Sequence, residues 1–189
     1  MKISGGKAKG IPLKISSKSN VRPATDFLRQ AVFSSLGNLV PNTQFLDLFA
    51  GIGAYGLEAW SRGASSGVFI EKDRLSIATI HLNIEAVAKS IQGNPLDCKV
   101  IQADVFSSPL PPKHQFDLIF ADPPYEITKD IFQNLLNLAT QYLSKQPTSR
   151  LIIEAPGHLS PPEHTDLVFV KKLGKNSKDS PSALIWCPQ

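Results

Sequence analysis

The sequence predicts an α/β fold: a Rossmann-like, mostly parallel seven-stranded sheet with helices on both faces, an antiparallel hairpin at one edge, and an N-terminal β-hairpin. Three observations carry this. From residue 44 to 153, short β-type runs alternate with stretches of helical apolar spacing, the pattern of parallel strands joined by crossover helices. A Gly-Ile-Gly-Ala-Tyr-Gly loop, Gly51 to Gly56, separates the first of these strands from its helix. The last two apolar runs, Leu167 to Val170 and Ala183 to Trp186, have between them only a Gly/Ser/Lys-rich stretch too polar for a crossover helix, so they pair antiparallel.

The elements follow in order. Residues 1–22 read as a basic hairpin extension, with Lys2-Ile3-Ser4 and Ile11-Pro12-Leu13-Lys14-Ile15 as short β segments around Gly5-Gly6 and Gly10. Residues 23–189 form the main domain. Phe27, Leu28, Ala31, Val32, Leu36 and Leu39 give a helix over Thr25 to Leu39, which Pro41 closes. Strands are expected at Gln44 to Phe49, Gly67 to Ile70, Cys98 to Ile101, Phe116 to Phe120 and Arg150 to Ile153, with helices at 54–62, 73–90 and 127–144. No internal repeat or linker calls for another core.

At 189 residues and 42% hydrophobic composition, the chain suits a single core of useful size. No apolar run is long enough to span a bilayer, and the first residues lack the apolar stretch of a secretory signal, so a cytoplasmic protein is expected. Cys98 and Cys187 lie far apart, and His81, His114, His158 and His164 share no metal-ligand spacing. Packing thiols and no metal are the reading. The net charge of +4 is unevenly spread: Lys2, Lys7, Lys9, Lys14, Lys18 and Arg22 precede the first acid, and Lys171, Lys172, Lys175 and Lys178 cluster near the other end. Such clusters suit phosphate contacts with a nucleic acid.

Gly51, Gly53 and Gly56 satisfy G-x-G-x-x-G between a strand and a helix, and Glu71 ends the next strand twenty residues after Gly51. That is the spacing of a dinucleotide site. Asp47, Asp104 and Asp122 should lie at neighbouring strand ends, however, and a pyrophosphate among them would meet repulsion in a partly dry cleft. S-adenosylmethionine has no phosphate; its sulfonium and ammonium suit an acidic site, its ribose diol can bond to Glu71, and its carboxylate can use the helix N-terminus. The cofactor set is therefore Asp47, Gly51, Gly53, Glu71, Asp104 and Asp122, with flanking Phe49, Ala50, Lys72 and Val105. Tyr55 and Trp60 read as core residues, and Asn83 as a surface or helix-end residue.

Asp122-Pro123-Pro124-Tyr125 is the sharpest chemical signal. Two prolines stiffen the backbone and remove two N–H donors. A methyl can be accepted by an exocyclic amine only when the nitrogen lone pair leaves conjugation with the ring. The Asp122 carboxylate and the Pro123 carbonyl can accept the two amine hydrogens and favour that state, by positioning and electrostatics rather than strong base. Tyr125 offers a flat surface to a base removed from its stack.

Asp47-Leu48-Phe49-Ala50-Gly51-Ile52-Gly53 together with Asp122-Pro123-Pro124-Tyr125 resembles the amino-group methyltransferases of nucleic acids. Ile3-Ser4-Gly5-Gly6-Lys7, Arg22-Pro23-Ala24-Thr25-Asp26 and Gly56-Leu57-Glu58-Ala59-Trp60-Ser61-Arg62-Gly63-Ala64 narrow the resemblance to the RsmD family, bacterial enzymes that methylate guanine N2 in small-subunit (16S) ribosomal RNA. The resemblance runs from residue 2 to about residue 157. It implies a class I methyltransferase fold, S-adenosylmethionine as cofactor, ribosomal RNA within the small subunit or its precursor as partner, and Arg22, Pro23 and Thr25 beside the methionine end of the cofactor. The rivals are an adenine-N6 methyltransferase, which needs the same tetrapeptide, a non-catalytic RNA-binding assembly protein on this fold, and a nicotinamide oxidoreductase.

Overall fold

A computed structural model describes residues 1–15, 23–107, 110, 114–178 and 180–189, with the side chains of 23–25, 125–127 and 129 outside the description. Helix α1 (Pro23–Leu36) is followed by a 3-10 turn (Gly37–Leu39), then β1 (Gln44–Leu48), α2 (Ala54–Ser61), β2 (Ser66–Glu71), α3 (Arg74–Ile91), β3 (Cys98–Gln102), β4 (Leu118–Ala121), α4 (Tyr125–Tyr142), β5 (Arg150–Pro156), β6 (Leu167–Gly174) and β7 (Pro181–Pro188). The seven strands form one sheet in the order β3-β2-β1-β4-β5-β7-β6. The first five are parallel, and β7 is antiparallel to both β5 and β6.

Along β1 the side chains alternate between two cores. Phe45 joins α1, α2 and α3 on one face, while Leu46 and Leu48 join α4 on the other. This two-sided burial is why the central strands read as continuous apolar runs. Two glycines let the first face close. A Cβ on Gly67 would lie 2.2 Å from the Phe45 ring, and one on Gly56 would lie 2.5 Å from both Phe45 and Phe69.

Among the described residues the N-terminal segment makes one antiparallel bridge, Lys2 with Pro12, and Ile3, Ala8 and Leu13 are buried in the same core as α1, α2 and α3. Its attachment explains the first and third family motifs. Glu58 accepts hydrogen bonds from the Ser4 N–H (2.8 Å), the Ser4 hydroxyl (2.7 Å) and Arg62 Nε (2.8 Å), with Arg29 Nε at 3.5 Å. The Ser61 hydroxyl donates to the Gly5 carbonyl (2.6 Å) and accepts from the Ala8 N–H (2.9 Å). Gly6 has φ of +76° and backs directly onto the Ser61 carbonyl, so a side chain there would be both strained and obstructed.

The differences from the sequence reading are at the ends of elements. The first helix starts two residues early and ends as α-helix at Leu36, because Gly37 adopts a φ of +50°. Edge strand β6 runs on to Gly174 and its neighbour β7 starts at Pro181, since their hairpin ladder continues beyond the apolar residues that mark them in the sequence. Cys98 and Cys187 are both unpaired, and burial pushes the Cys98 thiol up, away from reactivity.

Candidate active site

The strand order places the four acidic positions in a row. Asp104 follows β3, Glu71 ends β2, Asp47 is the penultimate residue of β1, and Asp122 follows β4. Leu48 pairs with Ile70 on one side and Ala121 on the other, and the Asp122 N–H donates to the Leu48 carbonyl at 3.4 Å. The glycine loop and the Asp-Pro-Pro-Tyr turn therefore leave adjacent strands at the same edge, the carboxyl edge where open α/β sheets bind ligands.

The loop needs its glycines for different reasons. Gly51 (φ +56°) and Gly53 (φ +82°) both adopt left-handed backbone, as does Phe49 (φ +57°). A Cβ on Gly53 would press on Leu57 and Phe69 at 3.2 Å, whereas one on Gly51 would meet nothing nearer than the Phe49 carbonyl at 4.0 Å. Gly56 is the packing glycine described above. Space over Gly51 is thus available to a ligand, and the loop's third glycine serves the fold.

Glu71 organises the neighbouring turn. One carboxylate oxygen accepts from the Gly51 N–H (2.7 Å), and the other from the N–H groups of Lys72 (2.8 Å) and Asp73 (2.9 Å). Each oxygen has two lone pairs, so the oxygen that Gly51 holds can still accept one hydroxyl of a diol. Asp47 is 2% exposed and accepts the Gly56 N–H at 2.9 Å, fastening the start of α2 to β1. Burial foremost, then the charges of Asp122 and Glu71, hold its carboxyl well above the usual carboxylate range. A cation placed here would relieve that repulsion, which fits a sulfonium and ammonium and opposes a phosphate.

The remaining predicted positions fall as follows. Ala50 is buried and its N–H donates to the Ile70 carbonyl; Phe49 is half-buried, edge-on to Phe106 at 6.2 Å. Asp104 is exposed and caps the short helical turn Val105–Ser107 through the Phe106 N–H (3.0 Å), with Lys72 Nζ 3.9 Å from its carboxylate. The Val105 side chain belongs to the core under α4. Asp122 and Pro124 are exposed and Pro123 is buried; the Pro124 carbonyl accepts from the Thr128 hydroxyl, and Tyr125 begins α4. The side chains of Tyr125, Pro23 and Thr25 lie outside the described residues, as do Arg22 and Lys18 entirely. Among the described residues no three His, Cys, Asp or Glu side chains are grouped to hold a metal, and no helix is long and apolar enough to cross a membrane.

Tyr55 and Trp60 are core residues, as read. The Tyr55 hydroxyl donates to buried Glu154 at 3.0 Å. Asn83 is a correction. It is fully buried in the middle of α3 rather than at the surface, and it bonds to the Ile52 carbonyl of the glycine loop at 3.0 Å. The signal was available: Asn83 stands in the apolar stripe of Ile80, Ile84 and Val87, and a polar residue in such a stripe is buried with partners. The basic cluster near the carboxyl end also changes. Lys172 Nζ is committed to the Gly157 carbonyl (2.5 Å), the Leu159 carbonyl (3.2 Å) and Asn176 (2.6 Å).

This sheet order, with a loop of left-handed glycines after β1 and an acid ending β2, is the fold of class I methyltransferases. In fold the chain is similar to the Escherichia coli protein yhhF, whose structure carries a provisional methyltransferase description: the TM-score is 0.79 over 100% of this chain and 98% of that one, at 22% identity. Residues 1–179 match the family described as Conserved hypothetical protein 95, and the chain belongs to that family. It is 32% identical over 138 residues to the Ribosomal RNA small subunit methyltransferase D of Escherichia coli (strain K12), covering 73% of this chain and 66% of that protein. It is also 29% identical over 173 residues to YlbH of Bacillus subtilis (strain 168), provisionally described as an rRNA methyltransferase, covering 91% of this chain and 92% of that one. The resemblance drawn from the motifs is borne out at the level of the family.

Proposed function

We propose that this chain methylates the exocyclic N2 amine of a guanine in small-subunit ribosomal RNA, in the cytoplasm. The observation that supports the reading best is that Asp122-Pro123-Pro124-Tyr125 follows β4, the strand beside the one that leads into the glycine loop, with Asp47, Glu71 and Asp104 continuing the row along the same sheet edge. The names of the ribosomal RNA methyltransferase relatives support the substrate class, as do the exposed lysines 2, 7, 9 and 14 of the N-terminal segment.

When bound, S-adenosylmethionine supplies an electrophilic methyl group on a positively charged sulfur. Gly51 and Gly53 let the backbone approach it, Glu71 and Asp104 receive its polar edge, and Asp47 sets the local negative potential. Arg22, Pro23 and Thr25 complete the set by family resemblance. At the acceptor, the Asp122 carboxylate and the Pro123 carbonyl hold the two amine hydrogens, so the nitrogen gives up conjugation with the ring and presents its lone pair. Tyr125 stacks the base.

Nucleoside mass spectrometry tests this, after incubation with S-adenosylmethionine and small ribosomal subunits from cells lacking the endogenous modification. N2-methylguanosine formed by the unmutated protein and not by Asp122→Ala is the expected result. N6-methyladenosine would transfer the assignment to the adenine rival, and cofactor binding without any product would remove the substrate reading.

A further inference from the structure

Asn83 is tied to two regions that are far apart in sequence. Its Oδ1 accepts the Lys14 N–H at 2.8 Å, and its Nδ2 donates to the Lys14 carbonyl at 3.1 Å and to the Ile52 carbonyl at 3.0 Å. The carboxamide does for Lys14 what a neighbouring strand would do, engaging both backbone groups of one residue. Its second Nδ2 hydrogen reaches the peptide between Gly51 and Gly53, where the backbone is left-handed on either side. Both Nδ2 hydrogens are thereby used, and Asn83 has no exposure to solvent. The other side-chain anchors of the N-terminal segment among the described residues, at Glu58 and Ser61 on α2 and at Arg29 on α1, do not touch the loop.

We propose that Asn83 is a positioning residue that couples the glycine loop to the N-terminal segment. A ligand that fixes the loop backbone fixes the Ile52 carbonyl, and through one shared side chain it steadies Lys14. By linkage, a nucleic acid that holds the N-terminal segment tightens the cofactor by the same factor. The inference rests on the methyltransferase reading for the identity of the loop ligand.

Amide hydrogen exchange, read residue by residue with and without saturating S-adenosylhomocysteine, tests the coupling without RNA or turnover. In the unmutated protein the product should slow exchange at the Lys14 amide by about fivefold or more. The Ala8 amide, at the α2 anchor, should change far less. Asn83→Ala should bind S-adenosylhomocysteine about tenfold more weakly, because it leaves the Ile52 carbonyl without its partner, and should show no protection at Lys14 when saturated. Asn83→Asp keeps the acceptor for the Lys14 N–H but loses both donors, and should behave likewise; it serves if the alanine variant does not fold.

Product binding with no change at Lys14, or equal protection at Lys14 and Ala8, overturns the coupling and leaves the methyltransferase reading standing. Protection at Lys14 that survives in a folded Asn83 variant also overturns it. Failure of the unmutated protein to bind S-adenosylhomocysteine overturns the cofactor reading, and the coupling with it.

Discussion

Glu58 and Asp47 are both almost wholly buried carboxylates that attend helix α2, yet their surroundings are opposite. Glu58 is held by two arginines and by the backbone and hydroxyl of Ser4. Asp47 has the Gly56 N–H, and the charges that act on it, from Asp122 and Glu71, are of its own sign. A buried charge matched from within the chain builds structure. A buried charge among like charges marks where a ligand of the other sign belongs.

The substitution expected to do most separates chemistry from both. Asp122→Ala should lower single-turnover methyl transfer by about 10²- to 10⁴-fold while S-adenosylhomocysteine affinity changes only severalfold. An equal loss of affinity would make Asp122 part of the cofactor site first. Glu58→Ala leaves buried Arg29, among the described residues, with only Asp26 and the Lys2 carbonyl and takes the shared acceptor from Arg62 and Ser4, and urea unfolding should show a loss of about 3–5 kcal/mol. A loss below about 1 kcal/mol, the size of an exposed pair, would erase the contrast with Asp47.

Asp47→Asn should act in the opposite direction on stability. The amide oxygen can still accept the Gly56 N–H and carries no charge, so Tm at neutral pH should rise by roughly 2–4 °C, with weaker product binding. The sign follows from the raised carboxyl of Asp47. The native state holds that proton more tightly than the unfolded chain, so the destabilisation is absent below the ordinary carboxylate pKa and grows as pH rises through the native one. The Tm gap between variant and parent should therefore close on acidification. Lys72→Ala should leave stability unchanged within about 0.5 kcal/mol, since Lys72 and Asp104 are 71% and 50% exposed.

Much of the site could be read from the chain because it is local. Strand, glycine loop and helix are contiguous, and the Asp-Pro-Pro-Tyr turn carries its own stiffness. The row of acids then follows from parallel pairing alone. What escaped the sequence is long-range. Nothing within residues 1–15 says that Ser4 ends on Glu58 or that Ile3 and Leu13 enter the main core, because so short a segment has no periodicity to display. Asn83 was misplaced because its partners, at positions 14 and 52, come from other segments. The ends of β6 and β7 were missed because a hairpin ladder continues through polar residues on hydrogen bonds that leave no hydropathy signature.

Phe45 lies against both Gly56 and Gly67, and that arrangement constrains ancestry. Neither glycine can gain even a methyl until the ring has shrunk, and a smaller residue at 45 leaves a void beneath both glycines at once. No single substitution among the three is neutral on its own. Across related chains Phe45 and Gly67 should change together or remain fixed, and Gly56, which Phe69 also confines, should change only where both rings do, although neither glycine takes part in the reaction.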